Sequence, residues 1–186
     1  MKVLGIVCSP RVHGNTETML QASLAKAQEA GAETELVTLA GKSISPCDAC
    51  YSCSKTGECH IKDDMQDIYA KFSEADGIIF GTPVYFWNVS AQAKALIDRT
   101  YFNLTKRDLR NKVAGVVVTA GRRGSTSAVE AFNGFFNTHR MIIVGCATGL
   151  TSPEKGEIKK DERGMAEAEA LGKTIVQYIQ SQKTTK

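Results

Sequence analysis

Five short runs rich in valine and isoleucine punctuate this chain, and longer stretches with helical spacing separate them. Lys2 to Cys8 is a continuous apolar run, the pattern of a strand buried on both faces. Glu33 to Leu39 alternates, as a more edge-like strand does. Gly77 to Thr82, stopped by Pro83, Val113 to Thr119 and Met141 to Ala147 complete the set. Met19, Leu20, Leu24 and Ala27 mark a helix that Gly31 terminates. Ser90 to Arg99 and Ser125 to Asn137 read as helices, with Gly134 weakening the second. Met165, Ala168, Leu171, Ile175 and Ile179 form the apolar stripe of a C-terminal helix, and Ser181 to Lys186 reads as a polar, frayed tail. Alternation of this kind predicts an α/β fold, a five-stranded parallel sheet with helices on both faces. At 186 residues, with no internal repeat and no low-complexity linker, one domain over 1–186 is expected.

In such sheets ligands bind beyond the carboxyl ends of the strands, near the switch in strand order. Two stretches there exceed the alternation: Gly41 to Asp64, which holds a cysteine cluster and follows strand two, and the polar stretch Thr151 to Asp161. Loops that long in a compact domain are functional or disordered.

Charge and hydropathy remove several function classes. The net charge of +3 is too small to imply nucleic acid without a clustered basic patch. No apolar run approaches the roughly 20 residues that span a bilayer. The N-terminus lacks the pattern of a secretion signal, so a cytoplasmic, reducing setting is expected. In that setting four cysteines crowded into residues 47–59, out of six in all, point to a metal or redox site before a disulfide scaffold.

After strand one come Ser9-Pro10-Arg11-Val12-His13-Gly14-Asn15-Thr16 and then a helix. Unpaired N–H groups at a helix start, two hydroxyls, an amide and a guanidinium suit a phosphomonoester. There is no G-x-x-x-x-G-K-[ST] and no G-x-G-x-x-G here, which disfavours a P-loop nucleotide or a dinucleotide pyrophosphate. Nor is Cys8 placed for a phosphatase loop, since the position where that loop needs its arginine, after five intervening residues, is Gly14. The alternative is a plain turn capped by Asn15 or Thr16, with Gly14 supplying an unusual φ.

Strand three ends in Pro83-Val84-Tyr85-Phe86-Trp87-Asn88, and strand four in Ala120-Gly121-Arg122-Arg123-Gly124. Three consecutive aromatics at the end of a buried strand suit a flat ring system, or else form a lid or dimer contact. The glycines allow close approach of backbone to such a ring. Arg122 and Arg123 either stabilise negative charge on a bound ring or form a solvated basic turn.

Ser9-Pro10-Arg11 with Gly14-Asn15-Thr16, then Gly81-Thr82-Pro83-Val84-Tyr85, Asn88-Val89-Ser90-Ala91-Gln92, Lys94 and Asp98-Arg99, resemble the NADPH-dependent FMN reductase family of flavodoxin-like proteins. The resemblance runs in order to about residue 147 and implies a flavodoxin-like sheet carrying FMN. It also implies that Ser9, Arg11, Asn15 and Thr16 hold the FMN phosphate. Pro83, Val84, Tyr85, Phe86, Trp87, Asn88, Ala120, Gly121 and Gly124 would then surround the ring, with Trp87 standing where a smaller residue, often glycine, is usual. A dimer or dimer of dimers is implied as well.

The cysteine run is C-x2-C-x2-C from Cys47 through Cys50 to Cys53, with Cys59 following. Thiolates at this spacing suit a 4Fe–4S cluster. Zinc more often uses two separated C-x2-C knuckles, and a redox-regulated disulfide or free thiols are the other readings. His60 is an alternative ligand, though a solvent-facing ring is expected. The run resembles the compact motif of iron–sulfur flavoproteins, in the same place after strand two. Cys8 and Cys146, at strand ends, are expected to be buried, inert thiols. The function this implies is electron transfer between a 4Fe–4S cluster and FMN, with ferredoxin or a similar carrier. Two alternatives stay open: an NAD(P)H-dependent FMN or quinone reductase without a cluster, and a non-enzymatic module in which zinc holds the loop.

Overall fold

The structure, a computed structural model, describes residues 1–184. Five parallel strands form one sheet: β1 (Lys2–Val7), β2 (Glu33–Thr38), β3 (Gly77–Pro83), β4 (Val113–Ala120) and β5 (Ile142–Leu150), in the order β2-β1-β3-β4-β5. The order reverses between β1 and β3, the switch point at which such sheets open a crevice. The fold is flavodoxin-like, as expected.

Period-two alternation divides the core. Leu4, Ile6, Ile78, Phe80, Val116 and Val118 face one layer, built from α3 (Met65–Glu74), α4 (Ala91–Arg99) and α6 (Ser125–His139). Val3, Val7, Ile79, Val113 and Val117 face the other, built from α1 (Asn15–Glu29) and α7 (Glu162–Thr184). Gly172 lets α7 press on α1: a Cβ there would lie 1.9 Å from the carbonyl oxygen of Ser23, and the Ser23 hydroxyl donates to the Ala168 carbonyl at 2.7 Å.

Three short elements fall where no periodic signal stood: α2 (Ser52–Thr56) inside the cysteine stretch, α5 (Tyr101–Lys106), and a 3₁₀ turn over Glu157–Lys160. β3 includes Pro83. Proline needs only an acceptor role there, and Val84 resumes the ladder by donating to the Thr119 carbonyl at 2.8 Å. β5 runs on to Leu150 because β4 pairs with it as far as Ala120. The expected frayed tail is the last turn of α7 as far as Thr184, while its final residues, Thr185 and Lys186, lie outside the described residues.

Cys8 is buried as expected, but Cys146 is exposed. Its strand is the sheet edge, and the face bearing Ile143, Cys146 and Leu150 extends past the cover of α6. No helix among the described residues is long and apolar enough to cross a membrane.

Candidate functional site

The loop from β1 to α1 builds the floor of a cavity of about 300 Å³ at the switch point. Ser9, Arg11, Gly14, Asn15 and Thr16 line it, together with Pro83, Val84, Tyr85, Ala120 and Gly121. The first N–H groups of α1 have no carbonyl one turn back and are free for an anion. Glu17, the acid of this first turn, is engaged elsewhere: its carboxylate accepts from the His13 backbone N–H at 2.8 Å. The Ser9 hydroxyl accepts from the Arg11 backbone N–H at 3.1 Å, which folds the loop back on itself.

Asn15 is differently employed from its sequence expectation. Its amide nitrogen donates to the Ser152 and Glu154 carbonyls at 3.0 and 2.8 Å, and its oxygen accepts from Ile158 N at 3.3 Å. With that amide committed to the stretch after β5, Asn15 offers the cavity its place at the helix start more than its side chain. Arg11 reaches the same stretch, donating from Nη1 to the Pro153 carbonyl at 2.5 Å. Thr151, Ser152 and Pro153 thereby become a wall of the cavity. Thr119 is a further lining residue that sequence reasoning did not name, and its hydroxyl pairs with that of Thr16 at 2.7 Å in a buried contact.

This cavity shares Val84, Gly121, Thr151, Ser152 and Pro153 with a wider, open groove of about 750 Å³. Phe86, Trp87, Arg122 and Arg123 line the groove. Tyr85 and Asn88 exchange backbone hydrogen bonds at 2.9 and 3.0 Å across a two-residue turn. Its central residues, Phe86 and Trp87, both have positive φ, 47° and 63°. A tight hairpin of this hand ordinarily takes Asn-Gly, which is why a small residue is usual where Trp87 stands. Gly124, with φ +95°, packs under the turn, and a Cβ there would meet Val84 Cγ1 at 2.9 Å and Trp87 Cα at 3.1 Å. Ser90 ties the region together: its hydroxyl donates to the Cys8 carbonyl at 2.5 Å while capping α4 by accepting from Ala93 N. A hydroxyl-lined pocket at a helix start, opening into a flat groove with aromatic and cationic walls, fits a ring that carries a phosphate tail.

Cys47, Cys50, Cys53 and Cys59 line a separate cavity of about 300 Å³ with Arg99, Tyr101 and Phe102. Left-handed backbone at Ala49 and Tyr51 coils the loop, α2 carries Cys53, and the Tyr51 ring meets Tyr101 edge-on at 5.6 Å. Burial, and then the neighbouring Cys59, Cys50 and Cys47, push the Cys53 thiol up, so a cationic centre would relieve this group of thiols. His60 donates or accepts at 2.7 Å with Asp48 on the surface, and the Asp48 carboxyl is held low first by the Cys50 side chain. Among the described residues, Asp48, Cys50 and His60 are the group of potential ligands whose atoms all lie within 4.8 Å of one another. The four thiols do not converge so closely, whereas four sulfurs on zinc at about 2.3 Å would sit roughly 3.8 Å apart. Four cysteines on one cavity are the all-thiolate donor set that an iron–sulfur cluster takes.

Arg99 closes this loop. Its fully buried guanidinium donates to the Ser45 carbonyl at 2.9 Å, to the Ile61 carbonyl at 3.1 Å and to both Asp63 oxygens at 2.7 and 3.0 Å. Burial works to raise the Asp63 pKa, but Arg99 and the backbone N–H groups of Ser45 and Met65 hold it below the usual carboxylate range.

The thiol cavity and the switch-point cavity have no lining residue in common. Helix α4 lies between, with Ser90 at the switch-point end and Arg99 at the thiol end. Its nine residues span about 13 Å, so the thiols are not immediately beside the groove of their own chain.

A profile of the NADPH-dependent FMN reductase family matches residues 1–153. An iron–sulfur flavoprotein of Methanocaldococcus jannaschii is 41% identical over 188 residues, covering 96% of this chain and 97% of that protein. An iron–sulfur flavoprotein of Methanosarcina thermophila is 34% identical over 183 residues, covering 97% and 96%. Among solved structures, RosB with bound 8-demethyl-8-formylriboflavin-5′-phosphate superposes with a TM-score of 0.82 at 18% identity, covering 100% of this chain and 81% of that one. A WrbA-like flavodoxin from Agrobacterium tumefaciens superposes with a TM-score of 0.68 at 17% identity, covering 97% of each chain.

Proposed function

Since the chain belongs to the NADPH-dependent FMN reductase family and is an FMN-dependent oxidoreductase, we propose that it is an iron–sulfur flavoprotein that passes electrons between a 4Fe–4S cluster and FMN. The observation that carries this reading is that all four loop cysteines line one cavity. The names of its relatives support the same assignment.

In this reading the FMN phosphate sits at the start of α1, held by the backbone N–H groups there and by Ser9, Arg11 and Thr16, with Asn15 positioning the wall opposite. The ring occupies the groove between Pro83, Val84, Tyr85, Phe86, Trp87 and Asn88 on one side and Ala120, Gly121 and Gly124 on the other. Arg122 and Arg123 place positive charge beside that groove, where it favours a reduced, anionic ring. Cys47, Cys50, Cys53 and Cys59 ligate the cluster. Bound together, a flavin that exchanges one or two electrons and a cluster that exchanges one allow a two-electron change to be met in single steps.

The length of α4 supports an oligomer in which the cluster of one chain approaches the flavin of another. The exposed aromatic turn and the uncovered face of β5 support the same arrangement, a homodimer or homotetramer. The electron carrier is ferredoxin or a similar small protein.

Anaerobic stopped-flow reduction tests the proposal. Reduced ferredoxin is expected to reduce the FMN of the wild type, and Cys53→Ser is expected to abolish that reaction while retaining FMN. Equal rates in the two proteins, with NADPH faster than ferredoxin in both, would instead identify a reductase that works without a cluster.

A further inference from the structure

Arg99 does more than the loop requires. A guanidinium carries five N–H donors. Four are used on the two ends of the cysteine loop: Nη1 on Ser45 O and Asp63 Oδ2, and Nη2 on Ile61 O and Asp63 Oδ1. The fifth, Nε–H, is buried with no protein partner. Leaving a buried donor of a charged group unmade is costly. The residue lies on the wall of the thiol cavity with its side chain fully buried. Its surroundings show what lies near. Burial works against the Arg99 charge, and Asp63, Tyr69 and Cys59 more than restore it. Tyr69 donates its hydroxyl to the Arg99 carbonyl at 3.0 Å and also senses the Cys59 sulfur. Cys59 lines the same cavity as Arg99.

We infer that Arg99 contacts the cluster as well as clamping the loop: its Nε–H donates to the sulfur centre on the Cys59 side, and the contact raises the cluster's reduction potential. This rests on the reading that the four cysteines hold a 4Fe–4S cluster. Reduction adds one negative charge to the cluster, and a charge-assisted N–H···S hydrogen bond stabilises the more negative form more strongly. A lysine could pair with Asp63 and hold its charge in place, but it has no second nitrogen to turn toward the cavity.

The test is an EPR-monitored redox titration of the reconstituted cluster in the wild type, Arg99→Gln and Arg99→Lys, with iron and sulfide measured on each. The cluster-loaded fraction of Arg99→Gln is expected to be at least tenfold harder to reduce, a fall of about 59 mV for a one-electron couple. Arg99→Lys is expected to shift in the same direction by less. A loaded fraction of either variant that titrates at the wild-type potential overturns the inference and leaves Arg99 a purely structural clamp. Should neither variant load, wild-type protein labelled with ¹⁵N-arginine decides: a ¹⁵N hyperfine coupling on the reduced cluster signal is expected, and its absence overturns the contact. Wild-type protein that takes up no iron and sulfide on reconstitution would refute the cluster reading itself, a different failure from an unshifted potential.

Discussion

Phe86 is held in a conformation its side chain disfavours, and nothing in the isolated chain compensates. Its φ is 47°, in the left-handed region, and its ring is wholly exposed, with a relative accessibility of 102%. An ordinary L-residue there costs about 1–2 kcal/mol, whereas asparagine tolerates the region and is the favoured first residue of such a turn. Because the ring buries no surface, Phe86→Asn forfeits no packing. The FMN-free protein is therefore expected to gain about 1 kcal/mol, which for a chain of this size raises Tm by roughly 2–4 °C. FMN binding is expected to move the other way. Losing an aromatic contact to the flavin removes about 1 kcal/mol, so Kd rises several-fold. Differential scanning calorimetry on dilute FMN-free protein and fluorescence titration with FMN read the two effects separately. A lower Tm would show that Phe86 is packed in solution and would refute the strain argument. An unchanged Kd would remove the ring from the flavin site. Trp87 shares the turn and the left-handed φ, but it is partly packed, so its substitution would mix strain relief with lost burial.

Arg99→Ala is expected to destabilise by about 3–5 kcal/mol in urea denaturation, because it leaves the Asp63 carboxylate, only 8% exposed, without its partner. Asn15→Ala cuts the three hydrogen bonds that hold the stretch after β5. Hydrogen exchange across residues 151–158 is expected to accelerate and FMN affinity to fall about tenfold, as for the loss of one or two net hydrogen bonds. Burial lowers the His139 pKa from 6.5 to about 4, so the fold favours the neutral ring. Its contribution is complete above the unfolded value and is lost as pH falls from there through about 4, a loss of about 3 kcal/mol overall. Denaturation across that range should show His139→Gln less sensitive to acid than the wild type.

The central strands were readable because parallel strands covered on both faces are continuous apolar runs, as in Val113 to Ala120. Cys146 is exposed against expectation, its run looking the same as a central one. That β5 is an edge follows from strand order, which is not a local property. Helix α5 was invisible because tertiary contacts hold it, among them the Phe102 ring at 4.3 Å from Tyr69. The motif loops flanking the switch point were visible as loops, and the unusual length of 151–161 was the signal for the wall it supplies. Thr119 gave no such signal, since its hydroxyl matters only once Thr16 faces it. The clamp made by Arg99 joins residues 36 to 54 positions apart, so only the folded chain reveals it.

The cofactor content of protein purified without oxygen bears most directly on the proposed function. Iron, acid-labile sulfide and FMN measured on the same sample should give about four irons and four sulfides for each FMN, with an EPR signal appearing on reduction. A protein that retains its full complement of FMN while holding neither iron nor sulfide, and that acquires neither on reconstitution, would contradict the account.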